Sequence, residues 1–90
     1  MTGVEGRVAA FVREELLAPQ GRAGEELGAD TSLFRTGIVD SFGLLSLVTF
    51  LEQEYGISVR DEEMVPENFD SVATIAAFVA RRSAGKGGAT

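Results

Sequence analysis

Apolar residues recur at helical spacing in three places along this chain. Val4, Val8, Phe11, Val12 and Leu16 fall at i, i+4, i+7, i+8 and i+12, the stripe of an amphipathic helix that Pro19 and Gly21 should stop. Leu44, Val48, Leu51 and Tyr55 give a second stripe at i, i+4, i+7 and i+11, inside the longest apolar run of the chain. Asp40 or Ser41 stands where that helix should begin, and Gly56 where it should be capped. Leu45, Leu47 and Phe50 widen its apolar surface beyond one face. Such a helix is central and buried on several sides, or it keeps part of its surface for a partner. Val72, Ile75, Ala76 and Val79 mark a last helix, expected to end near Arg81 and Arg82, where cations suit the C-terminal dipole.

The connections are also informative. Residues 18–40 form a long link carrying Gly21, Gly24, Gly28 and Gly37, yet Leu27, Leu33 and Phe34 are too apolar for a free loop and should fold back on the core. Between residues 57 and 71, Val59 and Met64 are isolated apolar residues in acid-rich sequence, and Pro66 breaks any continuing helix. A short helix or turn over 61–69 is expected. No stretch alternates with the period of a strand. The expectation is an all-α fold: a folded domain over residues 1–82 and a small, flexible tail over 83–90.

Composition narrows the chemistry. Ninety residues carry one modest core, and the absence of cysteine and histidine excludes disulfides, Ser-His and Cys-His nucleophiles and the usual zinc sites. A domain this small has little room for a substrate cleft, which argues against a self-contained enzyme. The net charge of −6 is concentrated: from Asp40 to Asp70 there are eight acids against one base, Arg60. That segment repels nucleic acid and anionic membrane and attracts basic protein surfaces, although a charge run is more often a solvated face. With no secretory signal and no apolar run near the ~18 residues of a membrane span, a cytoplasmic protein is the default expectation.

The sequence Asp-Ser occurs twice before an apolar run, at Asp40-Ser41 and Asp70-Ser71. Both residue types are favoured helix N-caps, and capping explains the second pair completely. The first pair differs in context: it ends the long loop and opens the most apolar helix. A phosphate esterified to a serine in that first turn would face free N–H groups and the positive end of the helix dipole.

The ordered elements "GIVDSFG", "FLEQEYGI", "VRDEEM" and "SVATIAAFV" make the chain resemble the acyl carrier and peptidyl carrier proteins over nearly its whole length. The resemblance implies a small four-helix bundle with a long loop between helices 1 and 2 and a short third helix. It implies 4'-phosphopantetheine, taken from coenzyme A by a separate magnesium-dependent phosphopantetheinyl transferase and attached to Ser41, with Asp40 helping to dock the transferase and its metal. The cargo would ride as a thioester on the arm's thiol, which fits a chain without cysteine. Phe42, Leu45 and Thr49 match the family's exposed partner-facing positions, Val59 and Met64 match apolar positions on the neighbouring short helix, and ordinary core packing competes for Leu45, Val59 and Met64. Glu52, Asp61, Glu62 and Glu63 would form an acidic rim. Gly43 and Ser46 stand where fatty-acid carriers place acids, so the pattern looks more like a freestanding carrier of polyketide or nonribosomal-peptide type. Such a carrier is a monomer that binds no metal, nucleic acid or membrane of its own. It is served by a loading enzyme, adenylating or acyl-transferring, and by downstream acyl-processing enzymes. The competing expectation is an unmodified acidic helical interaction module.

Overall fold

The computed structural model describes the backbone of residues 3–88 and the side chains of residues 3–83, and in it the first stripe folds as helix α1 over Val4–Phe11. The chain continues helically as a π-helical segment over Val12–Leu17 and a tight 3-10 turn over Ala18–Gln20. Through the wider π turn, Leu16 and Leu17 both reach the core beside Val8 and Val12. Pro19 is accommodated in the last turn, so the expected stop is made by Gly21 alone. At Gly21, φ is 72°; Arg22 N–H donates to the Leu17 carbonyl at 2.8 Å and Gly21 N–H to that of Ala18 at 3.0 Å. This Schellman pair requires the left-handed backbone that glycine adopts without a Cβ clash.

The long link that follows is irregular but held at many points. Leu33 is fully buried, Ile38 and Val39 are nearly so, and Leu27 and Phe34 pack half-buried against the same core. Its backbone is stitched to the segment before the last helix: Leu33 N–H donates to the Asp70 carbonyl at 2.6 Å, and Ala73 N–H donates to that of Ala29 at 2.9 Å. The Asp70 carboxylate accepts from Ser32 Oγ at 2.8 Å and from Phe34 N–H at 3.4 Å. From the other side, Arg13 donates to the Glu25 carbonyl, Arg22 to that of Thr36, and Gln20 to that of Ile38. Buried or half-buried loop backbone thereby finds the partners it would otherwise lose with water. Arg22 also pairs with Glu25, and its hydrogen bonds hold the Glu25 carboxyl below its ordinary value of 4.5. The pairing is therefore complete above that value and is lost as pH falls through the lowered one.

Helix α2 runs over Ser41–Tyr55 and ends at Gly56, whose φ is 64°. Leu47, Val48 and Leu51 are buried, while Leu44 and Tyr55 are half-buried. A 3-10 turn over Asp61–Glu63 leads to the four-residue helix α3, Pro66–Phe69; Pro66 opens this helix instead of only ending what precedes it. Phe69 is fully buried against Phe78 of helix α4, Val72–Gly88, with ring centroids 5.2 Å apart. The described residues thus form a bundle of four α-helices with no strand, and none is long and apolar enough to cross a membrane.

Helix α4 passes through the expected end at Arg81–Arg82. Terminal cations suit a helix dipole but do not stop a helix, and no proline follows. Arg82 is used sideways: it donates to the Ser58 carbonyl at 3.0 Å and pairs with Glu63, tying α4 to the acidic turn. The backbone of the sequence-assigned tail is helical as far as Gly88; its side chains from residue 84 and its last two residues lie outside the described residues.

The second Asp-Ser pair divides two tasks that capping alone does not cover. Ser71 Oγ accepts from Thr74 N–H at 3.1 Å, and Ser71 N–H donates back to Thr74 Oγ1 at 3.0 Å. Ser71 is the cap, and Asp70 is the anchor of the loop. Ser71→Ala is expected to cost about 0.5–2 kcal/mol and to speed amide exchange in the first turn of α4. Asp70→Ala should cost about 1–3 kcal/mol and speed exchange at Phe34 instead, whose N–H loses its carboxylate acceptor. Native-state hydrogen exchange separates the two; the same exchange pattern for both variants would refute the division.

Candidate functional site

The approach to α2 is rigid up to the residue before its cap. Gly37, at φ 77°, turns the chain, and Val39 N–H then donates to the Leu33 carbonyl at 3.0 Å. Ile38 and Val39 are each only 2% exposed. Asp40 takes the N-cap with extended backbone, and its Oδ1 accepts from Gly43 N–H at 2.8 Å. Ser41 is therefore the first residue inside the helix. It is exposed, and its hydroxyl makes no hydrogen bond among the described residues. The chain ahead of Ser41 is anchored in the core, its helix is capped by its neighbour, and its own oxygen is left to solvent.

Gly43 permits this geometry. It is buried, and a Cβ there would lie 3.3 Å from Asp40 Oδ1 and 3.5 Å from Leu16 Cδ2. A side chain would crowd the capping carboxylate against the end of the first helix. The two serines of the repeated pair now separate by environment: Ser71 is 6% exposed with its hydroxyl committed to a cap, whereas Ser41 is exposed and uncommitted. Unpaired N–H groups at the start of a fifteen-residue helix, with its positive dipole end, suit a phosphate ester at Ser41.

The other residues singled out from the sequence divide into three groups. Phe42 (78% exposed), Leu45 (56% exposed) and Thr49 share the open side of α2, and core packing does not claim Leu45. Val59 and Met64 are half-buried and packed against the core, so only part of each is offered outward. Of the acids, Asp61 and Glu62 are exposed, with Arg60 3.9 Å from Glu62. Glu63 is engaged with Arg82 and with the Arg60 N–H, and Glu52 accepts from the Val59 N–H at 2.9 Å. These last two carboxylates hold the 56–64 segment in place before they present charge to anything else.

One feature of the surface escaped the sequence. Phe50 and Phe11 stack across α2 and α1 with centroids 4.4 Å apart and planes 20° apart. They floor a groove of about 540 Å³ that begins at Phe42 and runs down to Gln53. Phe11 was legible as part of the first stripe and Phe50 as one of the residues widening the second helix's apolar surface; that they meet depends on how the two helices pair.

Comparisons with known proteins agree with this geometry. Residues 10–80 match the family model described as the phosphopantetheine attachment site. The chain is 42% identical over 70 residues to a probable acyl carrier protein, PigG, of Serratia sp. (strain ATCC 39006), covering 76% of this chain and 80% of that protein. It is 42% identical over 65 residues to the lincomycin biosynthesis protein LmbN of Streptomyces lincolnensis, covering 72% of this chain but 23% of that much longer protein. Among solved structures, it superposes on a chain from a crystal structure described as that of an FAD-dependent dehydrogenase. The TM-score is 0.68 and the identity 32%, over 80% of this chain and 97% of the other. A family match that runs from the end of α1 through α2 and α3 into α4, together with a capped helix start that exposes a free serine, leads to one conclusion: this chain belongs to the phosphopantetheine-binding carrier proteins, which are not catalytic themselves but hold cargo on a covalent arm for other enzymes.

Proposed function

We propose that Ser41 Oγ carries the 4'-phosphopantetheine arm and that the protein is a discrete carrier of an acyl or aminoacyl thioester in a polyketide or nonribosomal-peptide type pathway. The observation that carries this reading is the exposed, unbonded hydroxyl in the first turn of α2, set beside a second Asp-Ser whose serine is buried and engaged. The chain has no cysteine, so the sulfur that holds the cargo comes with the arm. The pathway type rests on the two relatives, one named a probable acyl carrier protein and the other a lincomycin biosynthesis protein.

Asp40 has two compatible tasks in this reading. It caps α2 through Gly43 with one carboxylate oxygen, and the other, next in sequence to Ser41, is left to meet a transferase-bound magnesium. Phe42, Leu45 and Thr49 form the apolar part of the docking face, and the exposed parts of Val59 and Met64 extend it. Asp61 supplies charge for basic partners, Glu62 adds to it from beside Arg60, and Glu52 and Glu63 contribute what their internal bonds leave over. Such a rim speeds and orients encounter more than it adds affinity. The partners are a phosphopantetheinyl transferase, an adenylating or acyl-transferring loading enzyme and downstream acyl-processing enzymes in the cytoplasm. The structural match described as an FAD-dependent dehydrogenase makes a flavin dehydrogenase one downstream class to test.

Incubation of the apo protein with coenzyme A and a broad-specificity transferase should add one arm by intact mass. Ser71→Ala should load like the wild type and Ser41→Ala should not load; a mass gain on Ser41→Ala would place the arm elsewhere. The same variants separate attachment from folding. Ser41→Ala should change stability by no more than about 0.5 kcal/mol, because the side chain is exposed and unbonded. Asp40→Ala should cost about 1 kcal/mol as a lost cap and also slow loading. Thermal melts and loading rates report the two effects independently, and unimpaired loading of a destabilised Asp40→Ala would leave Asp40 with the cap alone.

A further inference from the structure

The groove beside Ser41 has the size of a small-ligand cleft and an unusual division of its walls. Phe11, Phe42, Leu45 and Phe50 make it apolar, Glu15 lines it from the first helical segment as its one charged group, and Ser46 and Gln53 edge it with side chains that make no hydrogen bond among the described residues. Thr49, also on its edge, donates its hydroxyl to the Leu45 carbonyl at 2.9 Å and keeps lone pairs free. Clefts of about 300–1,000 Å³ with apolar walls and a few convergent polar groups are characteristic of small-molecule sites; at about 540 Å³ this groove falls within that range.

Its position points to one occupant. Residues 42, 45, 46, 49 and 53 follow each other at helical spacing down one side of α2, and Leu45 lies one turn below Ser41 on a neighbouring line of the same helix. From Ser41 to Gln53 the helix rises about 18 Å. The pantetheine arm has a backbone of about thirteen bonds from phosphorus to sulfur, comparable to four or so residues of extended chain, and so spans about 15 Å. It alternates apolar carbon with two amides, each of which needs a hydrogen-bond partner when it leaves water.

We propose that the arm on Ser41 rests in this groove between carrier encounters, with its dimethyl and methylene groups on Phe42, Leu45 and the Phe11–Phe50 stack and its amides against Ser46, Thr49 and Gln53. The proposal rests on Ser41 as the attachment point. It places the resting arm on the α1 side of α2, away from Val59 and Met64. Because Phe42 and Leu45 also belong to the docking face, a partner seated there competes with the arm for the same side chains.

A spin label tests the placement directly, because the chain has no cysteine and the arm's thiol is the sole reactive sulfur once loaded. The ¹⁵N-labelled protein is loaded with the arm, loading is verified by intact mass, and the thiol is alkylated with a nitroxide maleimide. Amides of residues 45–53 and 11–15 should broaden several-fold more than those of residues 59–64. Unlabelled holo protein should show its chemical-shift changes from the apo form at the same residues. Ser46→Asp, which puts a solvated carboxylate in the middle of the groove at a position outside the docking face, should keep the fold and the loading but lose the selective broadening. Broadening that is even around the molecule, or centred on residues 59–64, would overturn the proposal while leaving Ser41 as the attachment point. Failure to gain the mass would instead overturn the attachment reading and this one with it.

Discussion

The geometry of the site depends on the clamp between Asp70 and the loop that precedes α2. A link of this length can bury Leu33 only if the backbone around it finds hydrogen-bond partners, and Asp70 supplies them twice, through its carbonyl to Leu33 and through its carboxylate to Ser32 and Phe34. Once Leu33 is seated, Val39 donates back to its carbonyl, and Ile38 and Val39 enter the core. The loop then arrives at Asp40 from a fixed direction. Part of the entropy of closing so long a link is met by apolar burial, so the link behaves as part of the core that happens to lack regular structure.

The two Asp-Ser pairs show how the same dipeptide acquires opposite uses. In the first, aspartate caps and serine is released to solvent; in the second, serine caps and aspartate reaches back to the loop. The offset of one residue decides which hydroxyl is available. It also couples the two: Asp70 of the second pair holds the loop that delivers Ser41 of the first. The proposed attachment at Ser41 needs both an accessible oxygen and an immobile base under it, and the two fall within four residues: the exposed Ser41 and the buried Ile38–Val39 approach.

Charge in the acidic half serves two ends. Glu52 and Glu63 are turned inward to the backbone of the 56–64 segment and to Arg82, where they replace water for N–H groups and a guanidinium. Asp61 and Glu62 remain exposed. An acidic rim counted from composition is therefore larger than the one that is free to meet a partner, and charge-based docking rests on fewer groups than the net charge suggests.

The three stripes, the Gly56 cap, the return of Leu27, Leu33 and Phe34 to the core and the family-level pattern around Ser41 were all legible in the sequence, because periodicity and capping are local properties of residue type. Proline's effect was less local: Pro66 opens a helix, where a missing N–H has no helical partner waiting for it, and Pro19 is taken up in a tight 3-10 turn at the end of the first helical run. The end of α4 was misplaced because favourable cations were read as a stop. What only the tertiary structure decided was assignment: which member of each Asp-Ser pair caps, which acids are spent internally, and that Phe11 and Phe50 meet to floor a groove. The caps themselves close within one turn, but the release of Asp70 to the loop, the Glu63–Arg82 pair and the aromatic stack each depend on a partner in another element. The sequence by itself determined the helices and the candidate serine through contacts within a few residues, whereas the roles of Asp70, Glu63 and the aromatic stack are set by contacts that exist only once the helices have packed.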